Sequence, residues 1–215
     1  MSQFSHIIFD LDGTLTDNTR GIGKSLQYAL GKMQIEGYSD AVLKNFIGPP
    51  LQQCFRMNFG LNEKETALAV DYFREYYGEK GWSDNVPYPG IRELFEELYF
   101  SGKQIFVATS KLEKFARLIL QKFELYTYIA DLQGVDYGGT HSKGMLIRSV
   151  MERNRICADK NTVMVGDTVY DIEGAQETGI PVIAVGYGFG KKEDLLALSP
   201  DFFAEDVDEL YELLS

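Results

Sequence analysis

The chain has 215 residues, 45% of them hydrophobic and 25% charged, with a formal net charge of −11, the make-up expected of a globular, soluble chain of one or two domains. The acidic balance argues against a nucleic-acid polymer or an anionic membrane as partner, and no run has the length of a membrane span or the charged-then-apolar pattern of a signal peptide. Cys54 and Cys157 lack metal-ligand spacing and read as reduced and structural, and His6 and His141 alone leave almost no material for a histidine zinc site or phosphohistidine chemistry, so a cytoplasmic location is expected.

The first element is an apolar run, Ile7-Ile8-Phe9, that reads as a short buried strand. It ends in Asp10-Leu11-Asp12-Gly13-Thr14. Strand alternation lets Asp10 and Asp12 face the same side as the chain leaves the sheet. An Asp-Gly pair is also ordinary turn chemistry, so this stretch alone leaves two readings open. Thr16 to Thr19 supplies helix N-cap candidates, and Ile22, Leu26, Ala29, Leu30 and Met33 follow at helical spacing. A turn at Gly37 to Asp40 and a short helix at Ala41 to Phe46 come next, and Gly48-Pro49-Pro50 breaks the chain. Leu51 to Phe59 and Glu63 to Tyr77 read as further helices, the second with an aromatic stripe at Tyr72 to Tyr77 that suits a helical core. Residues 17–86 therefore form an expected all-helical insertion, a small domain of its own.

From Pro87 the rhythm changes to alternation of strand and helix. Helices are expected from Pro89-Gly90 to Phe100, Leu112 to Phe123, Lys143 to Arg153, Asp171 to Thr178, Glu193 to Leu198 and Val207 to Leu214. Strands are expected at Gln104 to Ala108, Tyr128 to Leu132, Thr162 to Val165, Pro181 to Val185 and, at an edge, Asp201 to Phe203. Strands separated by helices imply parallel pairing. The class is α/β: a doubly wound, Rossmann-like core of residues 1–16 and 87–215 carrying the helical insertion.

The strand at Thr162 to Val165 repeats the design of the first: it ends in Gly166-Asp167, and Asp171 follows four residues on. A helix opening near Thr168 would present those acids at its N-terminus, where the macrodipole tolerates them. Four carboxylates at two strand ends pack poorly but suit a hard cation. Mg²⁺ takes oxygen ligands in octahedral geometry and commonly keeps waters and a phosphate.

The DxDGT sequence at Asp10 to Thr14 and GDxxxD at Gly166 to Asp171 resemble the haloacid-dehalogenase superfamily. Ile105-Phe106-Val107-Ala108 ending in Thr109-Ser110, and Lys143 before a helix, resemble its two intervening motifs. Phe46 to Leu51, Tyr88-Pro89-Gly90 and Ala108-Thr109-Ser110-Lys111 are similar to the phosphoglycolate-phosphatase-like group and its 5′-nucleotidase-like relatives. Lys143-Gly144, preceded by Gly138 to Ser142, departs from the Lys-Pro of many phosphoglycolate phosphatases and leans toward the nucleotidase-like branch.

The resemblance implies a Mg²⁺-dependent phosphatase of a small phosphomonoester, with a helical cap at 17–86. Asp10 would be the nucleophile that forms an aspartyl phosphate, and Asp12 the general acid and then base. Asp10, the Asp12 carbonyl and Asp167 would hold Mg²⁺, with Asp171 close by or acting through water. Gly13, Thr109 and Ser110 would cradle phosphate, and Lys143 would balance the carboxylate charge. This local positive site must overcome the chain's long-range negative field, which salt screens within roughly 8 Å. A β-phosphoglucomutase-type phosphomutase and a non-catalytic phosphate-binding protein are the alternatives. The cap is expected to move about its two polar linkers, and the assembly to be a monomer or weak homodimer. Arg20, Lys24 and Arg56 read as a solvated charged face, and Gly186 to Gly190 as a flexible loop near the site rim.

Overall fold

The computed structural model describes residues 4–39, 42, 46, 51–136 and 141–215. The helix expected at 41–46, the Gly48-Pro49-Pro50 break and the Gly138-Gly139-Thr140 stretch therefore lie outside the described residues, save Val42 and Phe46. The chain divides into two compact units, Asn18–Val86 and the pair Met1–Asp17 with Pro87–Ser215. Among the described residues no helix is long and apolar enough to cross a membrane.

In chain order the helices are α1 (Thr19–Lys32), α2 (Leu51–Phe59), α3 (Glu63–Glu79), α4 (Ile91–Phe100), α5 (Glu113–Lys122), α6 (Lys143–Asn154), α7 (Val169–Thr178), α8 (Lys192–Ala197) and α9 (Val207–Leu214). The main sheet holds β1 (His6–Phe9), β2 (Gln104–Leu112), β3 (Ile129–Val135), β4 (Thr162–Gly166), β5 (Val182–Val185) and β6 (Phe202–Ala204). Its strand order is β3-β2-β1-β4-β5-β6, and every pair is parallel. Such a sheet is covered on both faces, which is why its strands read as nearly unbroken apolar runs. One face sends Ile8, Phe106, Met164 and Val182 into a cluster with Leu146, Ile147 and Val150 of α6 and Ile172 and Ala175 of α7. The alternate residues Ile7, Phe9, Ile105 and Val107 are also fully buried, with the Phe9 ring 5.1 Å from Phe95 of α4. Each such side chain contributes about 1.5–3 kcal/mol by leaving water.

Most elements stand within two or three residues of their expected bounds. The exception is β2, which continues past Ala108 through Thr109-Ser110-Lys111 to Leu112. Those polar residues look like a loop in the sequence. Leu112 nevertheless pairs with Val135, after a register shift between Ala108 and Leu112. At the start of the chain Thr16–Asp17 forms a two-residue strand instead of capping α1, and Asn18 takes the N-cap position without a side-chain capping bond.

In the helical unit, α1 buries Ile22, Leu26, Ala29 and Leu30, and α3 buries Ala69, Val70, Phe73 and Tyr77. α3 opens with a capping box: Asn62 Oδ1 accepts from Glu65 N at 3.0 Å, and Asn62 N donates to Glu65 Oε2 at 2.9 Å. Half the aromatic stripe is core. Phe73 and Tyr77 are buried, whereas Tyr72 and Tyr76 are half-buried, and the Tyr76 ring lies tilted against Tyr28 with centroids 5.4 Å apart. Lys24 Nζ sits 2.6 Å from Asp84 and Arg20 3.8 Å from it, so two members of the expected solvated face are paired within their own unit.

Gly21 of α1 meets the turn after α3 so closely that a Cβ would lie 2.2 Å from the Gly81 carbonyl oxygen. Gly31, exposed in the last turn of the same helix, has nothing within 4 Å of that position. Gly21→Ala should therefore lower stability by about 1–3 kcal/mol through overpacking. Gly31→Ala should raise it by a few tenths to about 1 kcal/mol, because only backbone entropy changes. Urea melts of the two variants read both signs.

Candidate active site

In a doubly wound sheet, ligands gather outside the carboxyl ends of the strands where the strand order reverses. Here the reversal lies between β1 and β4. Both strands end in aspartate at that point. Asp10 follows β1, its N–H still donating to Val165 O at 2.9 Å, and Asp167 follows β4 directly. After Asp10 the chain turns sharply: Leu15 N and Thr16 N both donate to Leu11 O, at 2.9 and 3.0 Å. Gly13 takes φ +91°, and a Cβ there would stand 2.1 Å from Asp167 Oδ2. Only glycine fits both demands.

Asp171 comes from the first turn of α7. Its Oδ2 accepts from Thr168 N at 3.0 Å and Thr168 Oγ1 at 2.7 Å, a reciprocal cap that fixes the carboxylate. Asp167 is held as firmly, accepting from Thr14 Oγ1 and from Phe189 N, each at 2.9 Å. Asp10, Asp167 and Asp171 are all buried, and each offers one oxygen within 4.8 Å of the others. Three converging hard oxygen donors suit a hard divalent cation.

Lys143, the first residue of α6, is buried with its Nζ 2.6 Å from Asp10 Oδ1 and 2.9 Å from Asp171 Oδ1. It also donates to Ala108 O at 3.1 Å. Thr109 is buried on β2, its Oγ1 accepting from Lys111 N at 3.2 Å. Asp12 stands apart from the other three carboxylates, its Oδ2 2.5 Å from Lys111 Nζ. Ser110 is exposed and makes no hydrogen bond to the cluster among the described residues.

Two features escaped the sequence. Lys111 pairs with Asp12, and the signal for it is strand alternation, which puts it on the same side as Thr109 once β2 continues. The loop at Gly186 to Gly190 is built into the site rather than lying at its rim. Phe189 donates its N–H to Asp167, and Tyr187 donates its hydroxyl to Thr14 O at 3.0 Å.

Burial dominates the electrostatics. It pushes Asp10 up from 3.8 to about 6; Lys143 pulls the other way, and the Asp171 charge adds to the rise. Asp167 is pushed well above the usual carboxylate range, first by burial and then by Asp171 and Asp10. Burial alone would lower the Lys143 ammonium, but Asp10 and Asp171 outweigh it and hold it charged. A site of three carboxylates and one ammonium is short of positive charge.

A family model for haloacid dehalogenase-like hydrolases matches residues 7–185. The chain belongs to the haloacid dehalogenase-like hydrolase family. A 5′-nucleotidase of Pseudomonas aeruginosa is 38% identical over 213 residues, 99% of this chain and 96% of that one. Tyrosine-protein kinase PtkA of Mycobacterium tuberculosis is 34% identical over 97% of this chain and 72% of its own length. A phosphoglycolate phosphatase of Vibrio parahaemolyticus is 28% identical over 97% of this chain and 95% of that one. Among solved structures, a haloacid dehalogenase-like family protein from Streptococcus pneumoniae superposes with a TM-score of 0.92 at 29% identity, over 100% of both chains. This family member is an enzyme, a phosphoric monoester hydrolase.

The raised Asp10 value has a thermodynamic consequence for the metal-free protein. Between about pH 4 and pH 6 the folded state holds a proton there that the unfolded state has released, so this group's contribution to stability is full below pH 4 and lost as pH rises through 6. Asp10→Asn, which cannot ionise, should therefore be more stable than wild type at pH 7.5 in chelator, by up to roughly 2–3 kcal/mol. The gap should close at pH 4. Paired denaturant melts at the two pH values check both halves.

Proposed function

We propose that the chain is a Mg²⁺-dependent phosphatase of small phosphomonoesters of the phosphoglycolate or nucleoside 5′-monophosphate class, working in the cytoplasm as a monomer or weak homodimer through an aspartyl phosphate on Asp10. The observation that carries this reading is the setting of Asp10, a carboxylate at a strand end, tied by Lys143 and flanked by two further carboxylates. The names of the relatives from Pseudomonas and Vibrio support the substrate class.

Asp10 attacks phosphorus, and the bond from phosphorus to the alcohol oxygen breaks. Asp12 gives its proton to the departing alkoxide, then takes one from the water that attacks the phosphorus of the aspartyl phosphate, and inorganic phosphate leaves as the bond from phosphorus to the Asp10 carboxylate oxygen breaks. The Thr109 hydroxyl and backbone amides near Gly13 and Ser110 bind the phosphoryl oxygens. Lys143 holds Asp10 in line and offsets charge that builds on the phosphoryl group. Asp10, Asp167, Asp171 and the Asp12 carbonyl are the groups that would hold Mg²⁺, which when bound supplies positive charge to the phosphoryl oxygens. The helical unit is where substrate choice is assigned.

Released phosphate, measured over 2-phosphoglycolate, a set of nucleoside 5′-monophosphates and a hexose phosphate, should appear with Mg²⁺ and stop in chelator, and Ca²⁺ should inhibit. Asp10→Asn should fall to background, and Asp12→Asn should lose on the order of 10²–10⁴-fold with alkyl phosphates. Full activity in chelator would defeat the metal assignment, and an isomer in place of free phosphate would make the protein a mutase.

A further inference from the structure

Four acidic residues end the two central strands, yet the structure does not treat them alike. Asp10, Asp167 and Asp171 converge within 4.8 Å. Asp12 lies outside that group and pairs with Lys111, at the end of the neighbouring strand β2, at 2.5 Å. Lys111 is nearly as enclosed as Lys143, with side-chain exposures of 7% and 5%. A lysine is seldom buried without a partner that needs it. Its place depends on the irregular end of β2, where pairing with β3 shifts between Ala108 and Leu112 and Lys111 N is held by Thr109 Oγ1 at 3.2 Å. The other oxygen of Asp12, Oδ1, is buried and has no hydrogen-bond partner among the described residues.

We propose that Lys111 is a positioning residue that holds the Asp12 carboxylate apart from the other three, with one oxygen anchored and the other left unpaired for the leaving group. The two lysines thus divide the acids between two tasks. Lys143 serves Asp10 and Asp171, and Lys111 serves Asp12. Without Lys111, Asp12 has no anchor on its outer side, and its carboxylate no longer meets the departing oxygen in one fixed geometry. This rests on the reading above that Asp12 transfers the leaving group's proton, and the experiment separates the two.

The test compares kcat/KM for 4-nitrophenyl phosphate, whose leaving group departs without a proton, with that for the faster of 2-phosphoglycolate and adenosine 5′-monophosphate, whose alkoxides need one. kcat/KM reads the steps through cleavage of the ester, so hydrolysis of the shared phosphoenzyme does not mask the leaving group. Asp12→Asn should lose on the order of 10²–10⁴-fold more on the alkyl than on the aryl phosphate. Lys111→Met should show the same asymmetry at about tenfold or more, a part of that general-acid factor, and Lys111→Arg should recover most of it. If Lys111→Met does not fold, Lys111→Gln carries the same comparison. Equal losses on both substrates in the uncharged Lys111 variants would mean that Lys111 binds phosphate or supports the fold, and would overturn the inference. An Asp12→Asn enzyme with no asymmetry would overturn the acid assignment beneath it, and the inference with it.

Discussion

Burying carboxylates side by side is unfavourable twice over, because each loses its hydration and each repels the next. This fold does so with Asp10, Asp167 and Asp171 and supplies a single ammonium, Lys143, among them. The cost is tolerated because every one of the three is fixed by other bonds. Asp171 takes the amide and hydroxyl of Thr168, Asp167 takes Thr14 and Phe189, and Asp10 takes Lys143. What remains is a buried deficit of positive charge, which a divalent cation could offset.

The rest of the α/β unit follows from keeping that deficit in position. Six parallel strands buried on both faces give a rigid floor, and the reversal of strand order between β1 and β4 brings two aspartate-ending strands side by side. The turn after Asp10 can pass close to Asp167 because Gly13 carries no Cβ. The loop at Tyr187 to Phe189 closes the same region, one backbone amide fixing Asp167 and one hydroxyl fixing Thr14. Stability is drawn from the apolar layers, and the strand ends are left to chemistry.

Much of this was legible in the sequence because the signals are local. Ile7-Ile8-Phe9 and Thr162 to Val165 announce buried strands, and the aspartates that follow stand where such strands must end. Lys143 could be placed only by its order among the motifs, and the structure sets it against Asp10 and Asp171. Lys111 and the end of β2 were not legible. Thr109-Ser110-Lys111 is polar, and its strand character comes from the pairing of Leu112 with Val135 across an irregular register, a non-local fact. The Gly186 to Gly190 loop differs from its expectation for a similar reason: glycines in sequence suggest freedom, whereas here they let the backbone approach Asp167.

The account stands on the claim that the carboxylate cluster is completed by a divalent cation. Calorimetric titration of the protein with Mg²⁺, in buffers of different ionisation enthalpy at pH 6 and pH 8, tests it without reference to turnover. Asp10 is raised to about 6 and Asp167 well above its ordinary value, so binding at pH 6 must expel protons from carboxylates that the cation needs ionised. The account predicts one Mg²⁺ per chain, weaker at pH 6 than at pH 8, with proton release at pH 6 that diminishes toward pH 8. An absence of binding, or an affinity and enthalpy that ignore pH and buffer, would contradict it.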